Sequence, residues 1–418
     1  MYSLPYGKNK LEFNLPENIN IDIIAPINPI SNPDPLTAVK NALDYPVSGS
    51  KHLEEFNNVR RVSIIVSDKT RPVPHNHLLP PLLDKLDRLG ISKSQINIII
   101  GSGTHLPMEI DDIKNIYPSD IIDKYDIYSH NCDDIENLIY IGVTCAGTPV
   151  YVNRLFYEAD LKIVTGNIEP HHFMGFSGGN KSASIGVTGR ETINKNHSML
   201  IDPRAKLGEY LNNPMRQDVE EIGRMIGTNF ALNAILNNEK QIINVIAGNP
   251  SLVMVEGIKI VREISQVSVK QPYDLVIASP GGYPKDINLY QSQKALTHAA
   301  IITKDRGIII LAAECLEGSG SKSFEEFMDG ISSCEEAFIK FEKIGFRVGP
   351  HKAFQIAREA IEKKIIMVSE MKPELVKKWF IEPSNSIEKA IKIAFELNPN
   401  IKRIAIMPGA TNTISLLS

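Results

Sequence analysis

The residue types that do chemistry concentrate between Gly166 and Leu200, in GNIEPHHFMGFSGGNKSASIGVTGRETINKNHSML. Adjacent histidines, His171 and His172, precede a glycine-rich turn that ends on Lys181, and His197 follows. Imidazoles titrate near neutrality, so three of them with a lysine suit acid–base work beside an anionic ligand. In GFSGGNK, glycines let backbone N–H groups converge on an anion and the lysine adds a point charge. The spacing is not that of a triphosphate-binding P-loop, because a single residue separates the last glycine from Lys181. A plain connector ending in an exposed lysine accounts for the composition about equally well. His197 falls on a predicted helix, where it reads either as a metal ligand or as a structural histidine.

Three further motifs carry candidates. SDKTRP offers Arg71 as a fork for a carboxylate or phosphate, with Asp68 to orient it or to accept a hydrogen bond from a ligand. GSGTHLP presents His105 in a strand-to-helix turn. NLYQSQKAL sets Tyr290 and Lys294 four residues apart, with Gln291 three before the lysine, so all three share one helix face near its start. That face suits a small carboxylate, or is simply a solvated surface.

The elements that must position these groups follow from periodicity. Val62 to Val66, Ile96 to Ile100 and Leu161 to Thr165 are short β-branched runs, the first two followed by predicted helices over His77 to Leu89 and Met108 to Ile116. Alternation of this kind indicates a parallel sheet covered by helices. Asp68 and Arg71 follow the first run, His105 the second and His171 the third, so the loops are expected to meet at the carboxyl edge of one sheet. Helices are predicted over Leu207 to Leu211, Asp218 to Gly227 and 250–266, with a strand pair between Phe230 and Ile246 and a linker at 267–272. A second α/β pattern then begins, with strands at Asp274 to Ala278, Gly307 to Ala312, Ile365 to Val368 and Arg403 to Met407. The fold class is therefore α/β with two domains, 1–268 and 269–418. The last residues are expected to pack back on the first domain, and the active site to lie in the cleft between the two.

At 418 residues the chain exceeds what one core usually organises, which supports the division. A net charge of −4 with both signs mixed leaves no basic face, so nucleic acid is not an expected partner. No apolar run approaches membrane-spanning length, and no membrane partner is expected. Cys132, Cys145, Cys315 and Cys334 form no CxxC pattern, which points to a reducing cytoplasm.

Taken in order, SDKTRP, GSGTHLP, GNIEPHHFMGFSGGNK, NKNHSML and PGGYPKDINLYQSQKAL closely resemble the lactate racemase family of nickel-pincer-nucleotide enzymes, from about residue 7 to about residue 410. The resemblance implies a 2-hydroxy acid racemase that works by reversible hydride transfer. Its cofactor would be a Ni(II)-pyridinium-3,5-bisthiocarboxylate mononucleotide joined covalently to Lys181, with His197 on the nickel. It implies His105 and His171 as the acid–base pair, and Asp68, Lys69, Thr70, Arg71 and Ser177 as cofactor contacts. Arg71, Tyr290, Gln291 and Lys294 would hold the substrate, and cofactor-making proteins would be partners. The family's pocket tryptophan is expected in the GPHKAF segment. The chain's one tryptophan, Trp379, lies beyond it, and Phe354 is the candidate replacement. Two other readings are a phosphotransferase or ATPase using the GGNK turn, and a cofactor carrier without turnover.

Overall fold

A computed structural model describes residues 1–71 and 73–417. The chain forms two compact units, Asn28–Ile264 and Met1–Ile27 with Ser265–Ser418.

In the Asn28–Ile264 unit the sheet order is Ile242–Gly248, Phe230–Leu236, Leu161–Asn167, Val62–Ser67, Ile96–Gly101, Asp126–Ser129. Its strands are parallel except Ile242–Gly248, which returns antiparallel on Phe230–Leu236. The central strands read as continuous β-branched runs because both faces are covered: Ile64, Ile65, Val66, Ile98, Ile99 and Ile163 are all buried. The helix His75–Arg88 covers one face with Leu78, Leu79, Leu82 and Leu86 at helical spacing. From Val62–Ser67 the chain moves to Ile96–Gly101 on one side and later to Leu161–Asn167 on the other. The strand order therefore reverses between Val62–Ser67 and Leu161–Asn167, which opens a crevice at their carboxyl ends.

The other unit has an all-parallel sheet in the order Glu382–Ser384, Lys364–Val368, Thr303–Ala312, Tyr273–Ala278, Arg403–Met407, Asn20–Ile23. Its reversal lies between Tyr273–Ala278 and Arg403–Met407. The compact units thus differ from a single cut at 268/269. Asn20–Ile23 pairs with Arg403–Met407, and Leu4, Tyr6 and Phe13 are buried against Leu275, Ile310 and Ile406, so the first 27 residues belong with the C-terminal unit. The expected linker at 267–272 is partly a strand, Gln266–Val269, paired in parallel with Ile414–Leu417. The chain's last strand, Ile414–Leu417, thus finds its partner at the expected domain boundary. No helix forms over Leu207 to Leu211. Gly208 there has φ +71 and donates its N–H to Gly175 O, so the segment turns to buttress the glycine loop.

Candidate functional site

Asp68 directly follows Val62–Ser67 and is 4% exposed. Its Oδ1 accepts from Thr70 Oγ1 at 2.6 Å and from the Thr70 amide at 3.0 Å, a turn that fixes the carboxylate's direction. Its Oδ2 meets His105 Nδ1 at 2.6 Å. Burial pushes the Asp68 carboxyl up, but the His105 and Thr70 hydrogen bonds and the Arg71 charge outweigh it, so the group sits below its ordinary value. A carboxylate only accepts, so His105 carries a proton on Nδ1, and in the neutral ring Nε2 keeps the lone pair. The strand's last carbonyl, Ser67 O, is held by Tyr117 Oη at 2.6 Å and by buried His75 Nε2 at 3.2 Å, which anchors the Asp68 turn from behind.

His171 stands in a two-residue strand, Pro170–His171, paired antiparallel with Gly175–Phe176. Its Nδ1 accepts the Met174 amide at 3.2 Å, so in the neutral ring the proton lies on Nε2. The two candidate acid–base histidines are therefore held as opposite tautomers. The His171 ring stacks on His172 at 4.7 Å, and Phe173 meets His171, His172 and His197 edge-on at 4.6, 4.2 and 5.5 Å. His197, on the helix Arg190–Ser198, bonds through Nδ1 to Ile193 O at 3.0 Å, one turn back. That bond leaves Nε2 as the electron-pair donor, the orientation a metal-binding imidazole needs. Burial first, and then the Lys181 charge, push His197 down to about 3, so the ring is neutral.

Lys181 opens the short helix Lys181–Ser184. One side of that segment is tied to Leu161–Asn167 by Ser182 Oγ donating to Thr165 O at 3.2 Å. The other is tied to the His105 loop by Gly103 N–H donating to Gly186 O at 3.0 Å. The lysine segment thus ties the strand that leads to His171 to the loop that carries His105, and the carboxyl ends of the three parallel strands share one sheet edge.

The glycine loop has a different basis from an anion cradle. Its residues, 172–180, are buried, and its amides are largely used internally: Phe176 N–H donates to Met174 O, Ser177 N–H to Glu169 O and Gly179 N–H to Asn233 Oδ1. The glycines serve close approach. At Gly175, φ +75, a Cβ would lie 1.8 Å from Glu209 O, and at Gly179, φ +56, 2.4 Å from Met254 Cγ. Beneath the loop lies fully buried Arg216, which donates to Phe176 O and Gly178 O at 3.1 Å each and pairs with Glu220. Glu220 also accepts from Asn180 Nδ2 at 2.7 Å. Sequence reasoning missed this platform. The R-x-x-x-E spacing on Pro214–Ile226 was visible, but it reads equally as a surface pair. Lys69 extends to Asp112 as a half-exposed ion pair, and Arg71 reaches Thr70 Oγ1 at 3.4 Å.

In the C-terminal unit, Asn288 caps the helix Leu289–Ile302 by accepting from Gln291 N–H. Tyr290, Gln291 and Lys294 lie on its first turns, and Lys294 Nζ donates to Gln291 Oε1 at 2.7 Å. Phe354 is the candidate for the expected tryptophan. It packs on Phe338 and Phe341 at 4.9 Å, inside the helical layer. From the same segment, Lys352 instead lies 5.0 Å from the Tyr290 ring.

Two α/β units, each with a reversal in strand order and polar loops at the strand ends, define a ligand-binding α/β architecture. Family models narrow the class: the lactate racemase N-terminal domain matches residues 6–208 and the lactate racemase C-terminal domain matches 268–415. A curated lactate racemase from Thermoanaerobacterium thermosaccharolyticum is 34% identical over 98% of both chains, and one from Lactiplantibacillus plantarum is 30% identical over 90% of both. The solved lactate racemase apoprotein from T. thermosaccharolyticum superposes with a TM-score of 0.92 over 99% of both chains, at 33% identity. A Thermotoga maritima protein shares the fold at a TM-score of 0.67 and 17% identity, covering 93% of this chain and all of that one. The chain belongs to the lactate racemase family.

Proposed function

We propose that this protein is a 2-hydroxy acid racemase, an isomerase using a nickel-pincer nucleotide tethered to Lys181. The observation that carries the reading is the convergence on one sheet edge of Lys181, a neutral His197 oriented by Ile193 O, and two histidines held as opposite tautomers. Among the described residues no group of three His, Cys, Asp or Glu side chains is able to hold a metal alone. Nickel on His197 would therefore draw its other ligands from the nucleotide. When bound, that group supplies the hydride acceptor.

The protein's own residues supply position and proton transfer. His105 Nε2 accepts the substrate hydroxyl proton, and Asp68 supports the resulting imidazolium through Nδ1–H. To complete the opposite enantiomer His171 must be cationic, giving its Nε2 proton to the substrate oxygen and becoming neutral. In the reverse direction the roles exchange, and either direction requires the His171 ring to release the Met174 amide so that Nδ1 carries a proton. Arg71, Tyr290, Gln291 and Lys294 hold the substrate carboxylate, and Lys69, Thr70 and Ser177 steady the nucleotide. The engaged amides of the GGNK turn argue against a triphosphate cradle, and hence against the phosphotransferase reading. Cofactor-making proteins are the implied partners. The four cysteines are free thiols, in keeping with a cytoplasmic location.

The test is a chiral assay of protein produced together with cofactor-making enzymes, over a panel of 2-hydroxy acids. Interconversion of enantiomers is expected for at least one acid. Nickel-loaded protein that racemises none would be a carrier, and ATP hydrolysis without nickel would mark a phosphotransferase.

A further inference from the structure

Lys181 and His197 are each preceded in the chain by a buried asparagine, Asn180 and Asn196, 3% and 0% exposed. Both side-chain amides donate to carboxylates of one helix, Pro214–Ile226. Asn180 Nδ2 donates to Glu220 Oε2 at 2.7 Å. Asn196 Nδ2 donates to Asp218 Oδ2 at 2.8 Å and to Met215 O at 2.9 Å. Two residues are about 200° of rotation around a helix, so Asp218 and Glu220 point to different sides of it. Lys181 and His197 thus stand on segments held to different sides of the same helix.

The helix is shaped to receive these contacts. At Gly223, three residues after Glu220, a Cβ would lie 2.3 Å from Asn180 Cγ. Glycine inside a helix is destabilising, so stability is given up here to let the amide approach. On the same side Ser184 Oγ donates to Val219 O at 2.7 Å, which ties down the far end of Lys181–Ser184. The carboxylates are fixed without the asparagines: Asp218 also accepts from Thr144 Oγ1 and Thr148 Oγ1, and Glu220 from Arg216 and Ser251. They act as set supports to which the two asparagines are fastened. The Lys181 charge reaches the His197 ring, so the two side chains lie within electrostatic range of each other.

We propose, resting on the racemase reading, that Asn180 and Asn196 are positioning residues: through Glu220 and Asp218 they tie the attachment lysine and the nickel-binding histidine to one helix and so set the spacing between them. One nucleotide has to meet both residues at once, so their spacing matters beyond the presence of either.

The experiment produces Asn180→Ala and Asn196→Ala together with cofactor-making enzymes. Intact mass reads the adduct on Lys181, and metal analysis reads the nickel kept per adduct during exposure to a chelator. Asn180→Ala is expected to lower the adduct per folded chain by about tenfold, the scale of one charged hydrogen bond. Asn196→Ala is expected to keep the adduct and to lose nickel about tenfold faster than the wild type. Thr148→Val removes a different donor from Asp218, so it should lower the melting temperature and leave both readouts unchanged. Asn180→Ser or Asn196→Ser replaces an alanine variant that melting shows unfolded. Asparagine variants that load and keep nickel as the wild type does overturn the proposal, as does a Thr148→Val that loses nickel equally fast. A wild type without adduct sinks the racemase reading instead. Hydrogen exchange in the unloaded chains then decides. Faster exchange confined to 181–187 in Asn180→Ala and to 190–198 in Asn196→Ala supports the positioning role, and exchange that is unchanged or raised throughout refutes it.

Discussion

The two sheet edges solve different electrostatic problems. In the Asn28–Ile264 unit the functional groups are imidazoles, each assigned a tautomer by one neighbour: Asp68 for His105, the Met174 amide for His171, Ile193 O for His197. In the C-terminal unit Lys294 and Lys352 each donate to a glutamine amide oxygen, and the buried imidazole of His298 lies near them. On the racemase reading, the first arrangement would direct protons and a metal-binding lone pair, and the second would receive the substrate carboxylate. One fold class serves both because a strand-order reversal leaves loop ends free in each sheet.

The contrast is broken most severely at the histidines. His105→Asn or His171→Asn in loaded enzyme is expected to lower kcat by roughly 10²–10⁴-fold. Asp68→Asn should cost less, because it leaves the His105 ring but removes the carboxylate that supports its charged form. Steady-state kinetics in both directions checks this, and equal losses for Asp68→Asn and His105→Asn would deny Asp68 its supporting role.

Arg216→Met tests whether the glycine loop depends on its buried platform. It leaves Glu220 buried and unpaired, so urea denaturation should show a loss of about 3–5 kcal/mol.

A smaller effect links the two units. His75 and His298 are buried, and burial is the leading cause that pushes each down to about 4. Both are therefore neutral when folded at pH 5, whereas the unfolded chain takes up protons near pH 6.5. Stability should then fall as pH drops from about 6.5 towards 4, by up to roughly 1.4 kcal/mol per pH unit for each ring. Melting curves at pH 7 and pH 5 measure this, and His75→Gln should flatten the slope. The smallest effect is expected at the half-exposed Lys69–Asp112 pair, where Lys69→Ala should change stability by at most about 1 kcal/mol.

The parallel strands were legible because runs such as Val62 to Val66 and Ile96 to Ile100 have one reading when both faces are buried. The loops after them followed from chain order, so Asp68, His105 and His171 could be assigned to one edge. Long-range partners were not legible. Nothing local in Leu4, Tyr6 and Phe13 announces packing against Ile406, nor does VSVKQP announce a parallel strand partner at the chain's end. Composition left the glycine turn open between an anion site and a plain connector, because it could not show that Asn233 and Arg216, far off in sequence, hold the Gly179 amide and the Phe176 and Gly178 carbonyls. Lys352 went unnoticed because a lone lysine beside a histidine gives no sign of burial.

The central claim is that Lys181 carries the cofactor while His197 faces its metal. Intact mass and nickel content of wild type and Lys181→Ala, each produced with cofactor-making enzymes, test it most directly. The wild type should carry a covalent nucleotide adduct with stoichiometric nickel, and Lys181→Ala should carry neither. An adduct on Lys181→Ala, or a loaded wild type without added mass, would contradict it.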